Sequence, residues 1–248
     1  MAVFLAASLS AGSQAEVTTT HNTLIKFDSR LFPRVLPRHG SAPIGIEIEA
    51  RLRARKKQEP APLTKLELAI NRAGSVTHRG LPVCDVAAID PASTAQALAA
   101  CGDARIGYGR IRALASFPGT RHFYFNGRAT IFNGRLENGR PAILLHVFNR
   151  TPPASFVFPL RISHRSGRYG TVLTAHVQIG QWSRITSFKL ILKRSYRYRG
   201  QTRSYLNAGC PAPEGFSVGI SPFVVATLGF ADGTDKDIPL VSYCKVGR

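Results

Sequence analysis

The stretch Ile44-Gly45-Ile46-Glu47-Ile48-Glu49-Ala50-Arg51-Leu52-Arg53-Ala54-Arg55 decides the fold class. Ile44, Ile46, Ile48, Ala50, Leu52 and Ala54 are apolar, and from Glu47 onward the residues between them are charged. A repeat of two sends successive side chains to opposite faces, so one face meets a core and the other meets water. A helix would wind the charged residues through the apolar face. The stretch is therefore a half-buried strand. Beyond a Pro-bearing loop, Leu66, Leu68 and Ile70 repeat the rhythm, with Lys65 and Glu67 pointing away. Two such segments joined by a short loop predict an antiparallel hairpin. Glu47 and Glu49 would then face Lys65, or Arg51 and Arg53 would face Glu67.

Further along, residues 105–117, 122–132, 142–149, 155–164, 169–179, 183–193, 223–230 and 238–243 are strand-like and punctuated by Gly, Pro and Asn turn signals. Asp232-Gly233 marks a hairpin between the last two. Phe125-Asn126-Gly127-Arg128, Phe132-Asn133-Gly134-Arg135 and Glu137-Asn138-Gly139-Arg140 read as turns at strand ends. One helix is expected over residues 92–100, with Asp90 as its N-cap and Pro91 opening it. The fold expectation is all-β: an antiparallel β-sandwich, jelly-roll or Ig-like, of about ten or eleven strands with one short helix. Residues 16–248 form a single domain in this reading, following a signal peptide over 1–15.

That signal peptide rests on the apolar residues 2–9 and on Ser13-Gln14-Ala15, whose small residues suit a cleavage site; no Lys or Arg precedes them. The four cysteines, Cys84, Cys101, Cys210 and Cys244, form no C-x-x-C pair, so a metal site is not indicated. An exported chain would join them as two disulfides. Of the three possible connectivities, Cys84–Cys101 and Cys210–Cys244 are preferred because each pair brackets one local segment. No later apolar run approaches the roughly 20 residues a membrane-spanning helix needs.

The net charge is +19, and 25 of the 33 basic residues are arginine. Arginine forms bidentate pairs with phosphate, sulfate and carboxylate, so one reading is a polyanionic partner. Ala, Gly and Pro are plentiful as well, and a compositional bias would raise all four together. Basic and aromatic residues interleave most densely over residues 193–205, where Arg194, Tyr196, Arg197, Tyr198, Arg199 and Arg203 make a candidate polyanion-binding surface. The alternative for this run is an edge hairpin whose charges block aggregation. An anionic envelope polymer or another surface protein is the expected partner; nucleic acid is not expected outside the cell.

No catalytic site is indicated. Gly215-Phe216-Ser217-Val218-Gly219 matches the letters of a nucleophile elbow but sits among prolines, without the strand-to-helix setting the elbow requires. His146 shares an apolar face with Leu144 and Phe148 and reads as a hydrogen-bonded core histidine. A carbohydrate-active enzyme on a jelly-roll frame would need two carboxylates in one concave site. No cofactor is implied.

The segments Ala69-Ile70-Asn71-Arg72-Ala73-Gly74, Gly80-Leu81-Pro82-Val83-Cys84, Ala97-Leu98-Ala99-Ala100-Cys101 and Ser204-Tyr205-Leu206-Asn207-Ala208-Gly209-Cys210-Pro211-Ala212-Pro213 resemble a group of uncharacterised exported proteins of actinobacteria. The resemblance runs from about Pro37 to Lys245 and centres on the cysteines. It implies export and structural cysteines, and leaves the activity open.

Overall fold

The structure is a computed structural model that describes residues 15–20, 22–55, 59–180 and 182–247. The expected signal segment lies almost wholly outside these residues.

Eleven long strands carry the fold: β2 (Thr23–Phe32), β5 (Gly45–Ala54), β6 (Leu63–Asn71), β9 (Arg105–Ala115), β10 (Phe123–Arg135), β11 (Pro141–Arg150), β12 (Pro153–His164), β13 (Tyr169–His176), β14 (Ser183–Leu192), β18 (Val218–Phe230) and β19 (Asp235–Val246). Eight short ones join them: β1 (Glu16–Thr19), β3 (Val35–Leu36), β4 (Ala42–Pro43), β7 (Gly74–Val76), β8 (Cys84–Asp85), β15 (Ser195–Tyr198), β16 (Gln201–Ser204) and β17 (Leu206–Ala208). The strand count exceeds the ten or eleven expected: eight segments of two to four residues are too short to show a period of two, and β2 lies outside the expected strands.

The pairing also departs from the expected two-sheet antiparallel sandwich. One sheet runs in the order β1-β2-β5-β14-β9-β10-β11-β12-β13-β6-β18-β19-β3. It is mixed, since β19 pairs with β3, and β10 with β8, in parallel. The sheet curls until β19 lies against β2 and β1. Its inner face gathers a single large core, including Phe27, Leu52, Ile131, Phe188, Leu228 and Ile238. Two small sheets, β15-β16 and β4-β17-β7, supplement it. Among the described residues no helix is long and apolar enough to cross a membrane.

β5 alternates as read, but the hairpin with β6 does not form. β5 pairs with β2 and β14, whereas β6 pairs with β13 and β18 in a different part of the sheet. The cross-strand ion pairs change accordingly. Glu47 meets Lys189 at 2.9 Å, and Glu67 meets Arg165 at 2.5 Å. Alternation settles which face is buried but not which strand lies beside it. The hairpin at Asp232-Gly233 does form, joining β18 to β19 with Gly233 at φ +81°.

Two of the three Asn-Gly sites are corrected. Asn126-Gly127 and Asn133-Gly134 lie inside β10 rather than at turns. Glycine is needed there for room: a Cβ on Gly127 would lie 2.4 Å from the Val147 side chain, and one on Gly134 2.5 Å from that of Leu144. Asn138-Gly139 is the turn, with Gly139 at φ +77° and the Leu136 N–H donating to the Arg140 carbonyl at 2.8 Å.

The helix, α1 (Thr94–Cys101), starts later than expected. Its N-cap is Ser93, not Asp90, because Ser93 and Gln96 satisfy each other's backbone N–H groups in a capping box. Both disulfides join the expected partners, Cys84 to Cys101 and Cys210 to Cys244. The first draws α1 onto the outer face of β10 and β11, where Ile89, Ala97, Phe132 and Leu144 form a second, smaller core. The Phe132 and Leu144 ends of these strands are thus covered on both faces, which leaves open the outer face of β5, β14 and β9 together with the Arg128 end of β10 and the Phe148 end of β11.

Candidate functional site

That open face is the floor of a groove of about 1690 Å³. Register, rather than proximity in sequence, assembles it. Lys189 of β14 lies opposite Arg110 of β9, and Arg110 lies opposite Arg128 of β10. Glu49 of β5 and Phe148 of β11 end this row. In the next row Arg51 pairs with Ser187, Ser187 with Arg112, and Arg112 with Asn126. Arg53 and Arg150 complete the basic lining. One wall carries Glu59, Pro60 and His122; the other carries Ser93, Thr94 and Ala95 at the start of α1, with Thr151 beside them.

Seven lysine or arginine residues therefore face two glutamates. Both glutamates are engaged: Glu49 with Arg51 at 2.8 Å and Lys189 at 4.0 Å, Glu59 with Arg184 at 2.7 Å and His122 at 3.3 Å. Among the described residues Arg53, Arg110, Arg112, Arg128 and Arg150 have no carboxylate within ion-pair distance. Like charges directly opposite on neighbouring strands destabilise a sheet, so Arg110 opposite Arg128 costs the fold stability. A concave wall of low polarizability concentrates their field. Two rings add apolar contact surface: Phe148, half-buried, and Tyr124, 47% exposed, with the Arg112 guanidinium 3.9 Å from its ring centroid.

His146 holds the α1 wall in place. The ring is fully buried, and Nε2–H donates to the Ala92 carbonyl at 2.9 Å, just before the helix N-cap. Nδ1 is buried without a partner. Burial pushes the imidazole below its ordinary value, outweighing the opposing influences of the Ala92 hydrogen bond and nearby Asp90. The unfolded chain takes up this proton near pH 6.5, and the folded chain only at lower pH. His146 thus contributes stability that is complete above about pH 6.5 and lost as the pH falls below it. Urea midpoints should drop between pH 7.5 and 5.5, and His146→Gln should flatten that drop; equal slopes in the two proteins would assign it elsewhere.

The basic-aromatic run of residues 193–205 lies elsewhere. It forms the β15–β16 hairpin and contributes nothing to the groove lining. Tyr196 is buried, and its hydroxyl donates to the Arg79 carbonyl at 2.9 Å. Tyr198 packs its ring on the Gly80 backbone, where a Cβ would have no room. Arg199 and Arg203 lie over that ring at 5.3 and 5.2 Å. Arg194 donates to the Asp103 carbonyl at 3.3 Å, and Arg197 and Arg199 are exposed. The aromatic half of this candidate surface is mostly structural cover. Gly215-Phe216-Ser217-Val218-Gly219 precedes and enters β18, with no helix after it among the described residues.

Comparison with known proteins returned no matching family model, no matching curated protein and no matching solved structure.

Proposed function

We propose that the protein is a non-enzymatic binder of anionic polymers, acting outside the cell or in its envelope, with the groove as its binding face. The observation that carries this reading is the set of five groove arginines without carboxylate partners. The volume supports it, since small-molecule pockets usually measure about 300–1,000 Å³. Arginine's planar fork suits phosphate or sulfate groups spaced along a chain. Two disulfides in the fold favour an oxidising compartment, in keeping with the expected export. The facing walls of the curled sheet serve as a sandwich-like frame for this face.

A glycosidase reading draws on Glu49 and Glu59, which share the groove. Both carboxylates are already taken up in ion pairs, Glu49 with Arg51 and Glu59 with Arg184, and neither stands free on the groove floor. Binding is the better account of the same residues.

Retention on immobilised long-chain polyphosphate and on heparin tests the proposal. Wild-type protein should be held at low salt and released as salt rises. Replacing Arg194, Arg197, Arg199 and Arg203 together with glutamine should leave most of the retention in place. Absence of retention, or dependence on those four residues alone, would remove the groove from consideration.

A further inference from the structure

Exposed apolar side chains gather on the outer face of β18 and β19. Of the eleven large ones exposed among the described residues, Val35, Val218, Ile220 and Val241 lie on or beside this face, and Phe216 lies just before β18. Ile220 is 74% exposed although it sits inside a long strand. Register arranges the face in rows, with Ile220 opposite Tyr243, Pro222 opposite Val241 and Val225 opposite Pro239. The intervening Gly219, Ser221, Ile238, Leu240 and Cys244 are buried. Single apolar residues are ordinary on a surface, whereas a continuous block of them marks a contact surface. Charge says what this one fits. Along β19 the outward residues run Asp235, Asp237, Pro239, Val241, Tyr243 and Lys245. Acid therefore closes the apolar block at one end and base at the other. Asp237 and Lys245 each lie four residues from Val241, and among the described residues neither has an ion-pair partner. Arg34 strengthens the basic end, its guanidinium 4.4 Å from the Tyr243 ring centroid. A uniformly basic rim would fit an anionic surface; ends of opposite sign fit the same face turned end for end.

We propose that two copies of the chain pair through the outer face of β18 and β19, about a two-fold axis that passes Val241. A two-fold contact is self-complementary: if residue i of one copy touches residue j of the other, j also touches i. Turning one copy about Val241 brings its Lys245 to Asp237 of the other, and its Asp237 to Lys245. Between these ends Tyr243 meets Pro239, Ile220 meets Val225, and Val241 and Pro222 each meet their own counterparts. Apolar rows thus cover apolar rows, in the aligned face-to-face packing by which two sheets ordinarily bury such surfaces. The inference is independent of the anionic-polymer reading, because no residue of β18 or β19 lines the groove.

Sedimentation equilibrium of the whole chain tests the inference. Wild-type protein should be mostly dimer at about 100 μM. Val241→Asp sets two carboxylates against each other on the axis and should weaken the dimer about 100-fold or more. Lys245→Asp faces Asp237 and should weaken it about tenfold, as should Asp237→Lys, which faces Lys245; the double exchange should restore the wild-type constant. Val241→Cys, on the axis, should give a disulfide-linked dimer on oxidation, and Val218→Cys, away from it, should not. Val218, Asp237, Val241 and Lys245 are exposed, so these substitutions leave the core intact. A monomeric wild type would overturn the inference, as would a dimer indifferent to Val241→Asp or a double exchange that stays weak. A monomer that sediments with phosphatidylglycerol vesicles, and no longer does so as Val241→Asp, would also overturn it and assign the face to a lipid surface.

Discussion

Replacing Arg110, Arg128 and Arg150 together with glutamine should weaken polyphosphate binding about 100- to 1,000-fold at low salt. The magnitude follows from three charge-assisted contacts of roughly 1 kcal/mol each, about 3 kcal/mol together. The same substitution should reduce the slope of log affinity against log salt by about 2, because each lost arginine releases roughly 0.7 fewer counterions from a flexible polyanion. Stability gives an independent readout. Arg110 and Arg128 face each other across β9 and β10 without a carboxylate between them. Removing them relieves repulsion, so urea unfolding should be unchanged or raised by a few tenths of a kcal/mol. Arginines kept for structure would behave in the opposite way. Unchanged affinity with unchanged salt slope would end the groove reading.

The strands themselves were legible, because alternation is a local property. β5 and β6 fall where their aliphatic residues recur every second position. β2 carries no clear alternation in the sequence although Ile25, Phe27 and Leu31 face the core, because the polar residues Thr23 and Ser29 share that buried face and break the apolar rhythm. Partners were less legible. The loop after β5 could turn back as a hairpin or lead elsewhere, and only the demand of each apolar face for an opposing wall decides between these. The cysteine pairing was readable because each bridge encloses a local segment.

The groove was hidden for a related reason. Arg51, Arg110, Arg128 and Lys189 are far apart in sequence and meet only through strand register. A signal was present in the alternate-position arginine pairs, Arg51 with Arg53 and Arg110 with Arg112, on the solvent faces of two strands. The run of residues 193–205 stands out in the sequence because its charges and rings are contiguous. Contiguity carries no information on orientation, and a two-stranded hairpin is stable only with an apolar face to cover. Tyr196 supplies that face, so its ring is turned away from any ligand.

Converting Cys210 and Cys244 together to alanine should lower the unfolding free energy by about 4 kcal/mol, against about 3 for the Cys84–Cys101 pair. The difference follows from the segments enclosed, with sequence separations of 34 and 17. A longer loop leaves the unfolded chain more freedom once the bridge is gone. For a domain of this kind the whole margin is about 5–15 kcal/mol, so the loss is large. Position adds a local effect. Cys244 is fully buried near the end of β19, the strand that lies against β2 and pairs with β3 where the two ends of the sheet meet. Amide exchange should accelerate first at Lys245 and Gly247, which donate to the Arg34 and Leu36 carbonyls across that seam. A reductant should reproduce both effects in the wild type and neither in a variant lacking all four cysteines. Equal urea midpoints for the oxidised and reduced wild type would show that the core alone holds the seam, and would remove the main physical reason for placing this chain in an oxidising compartment.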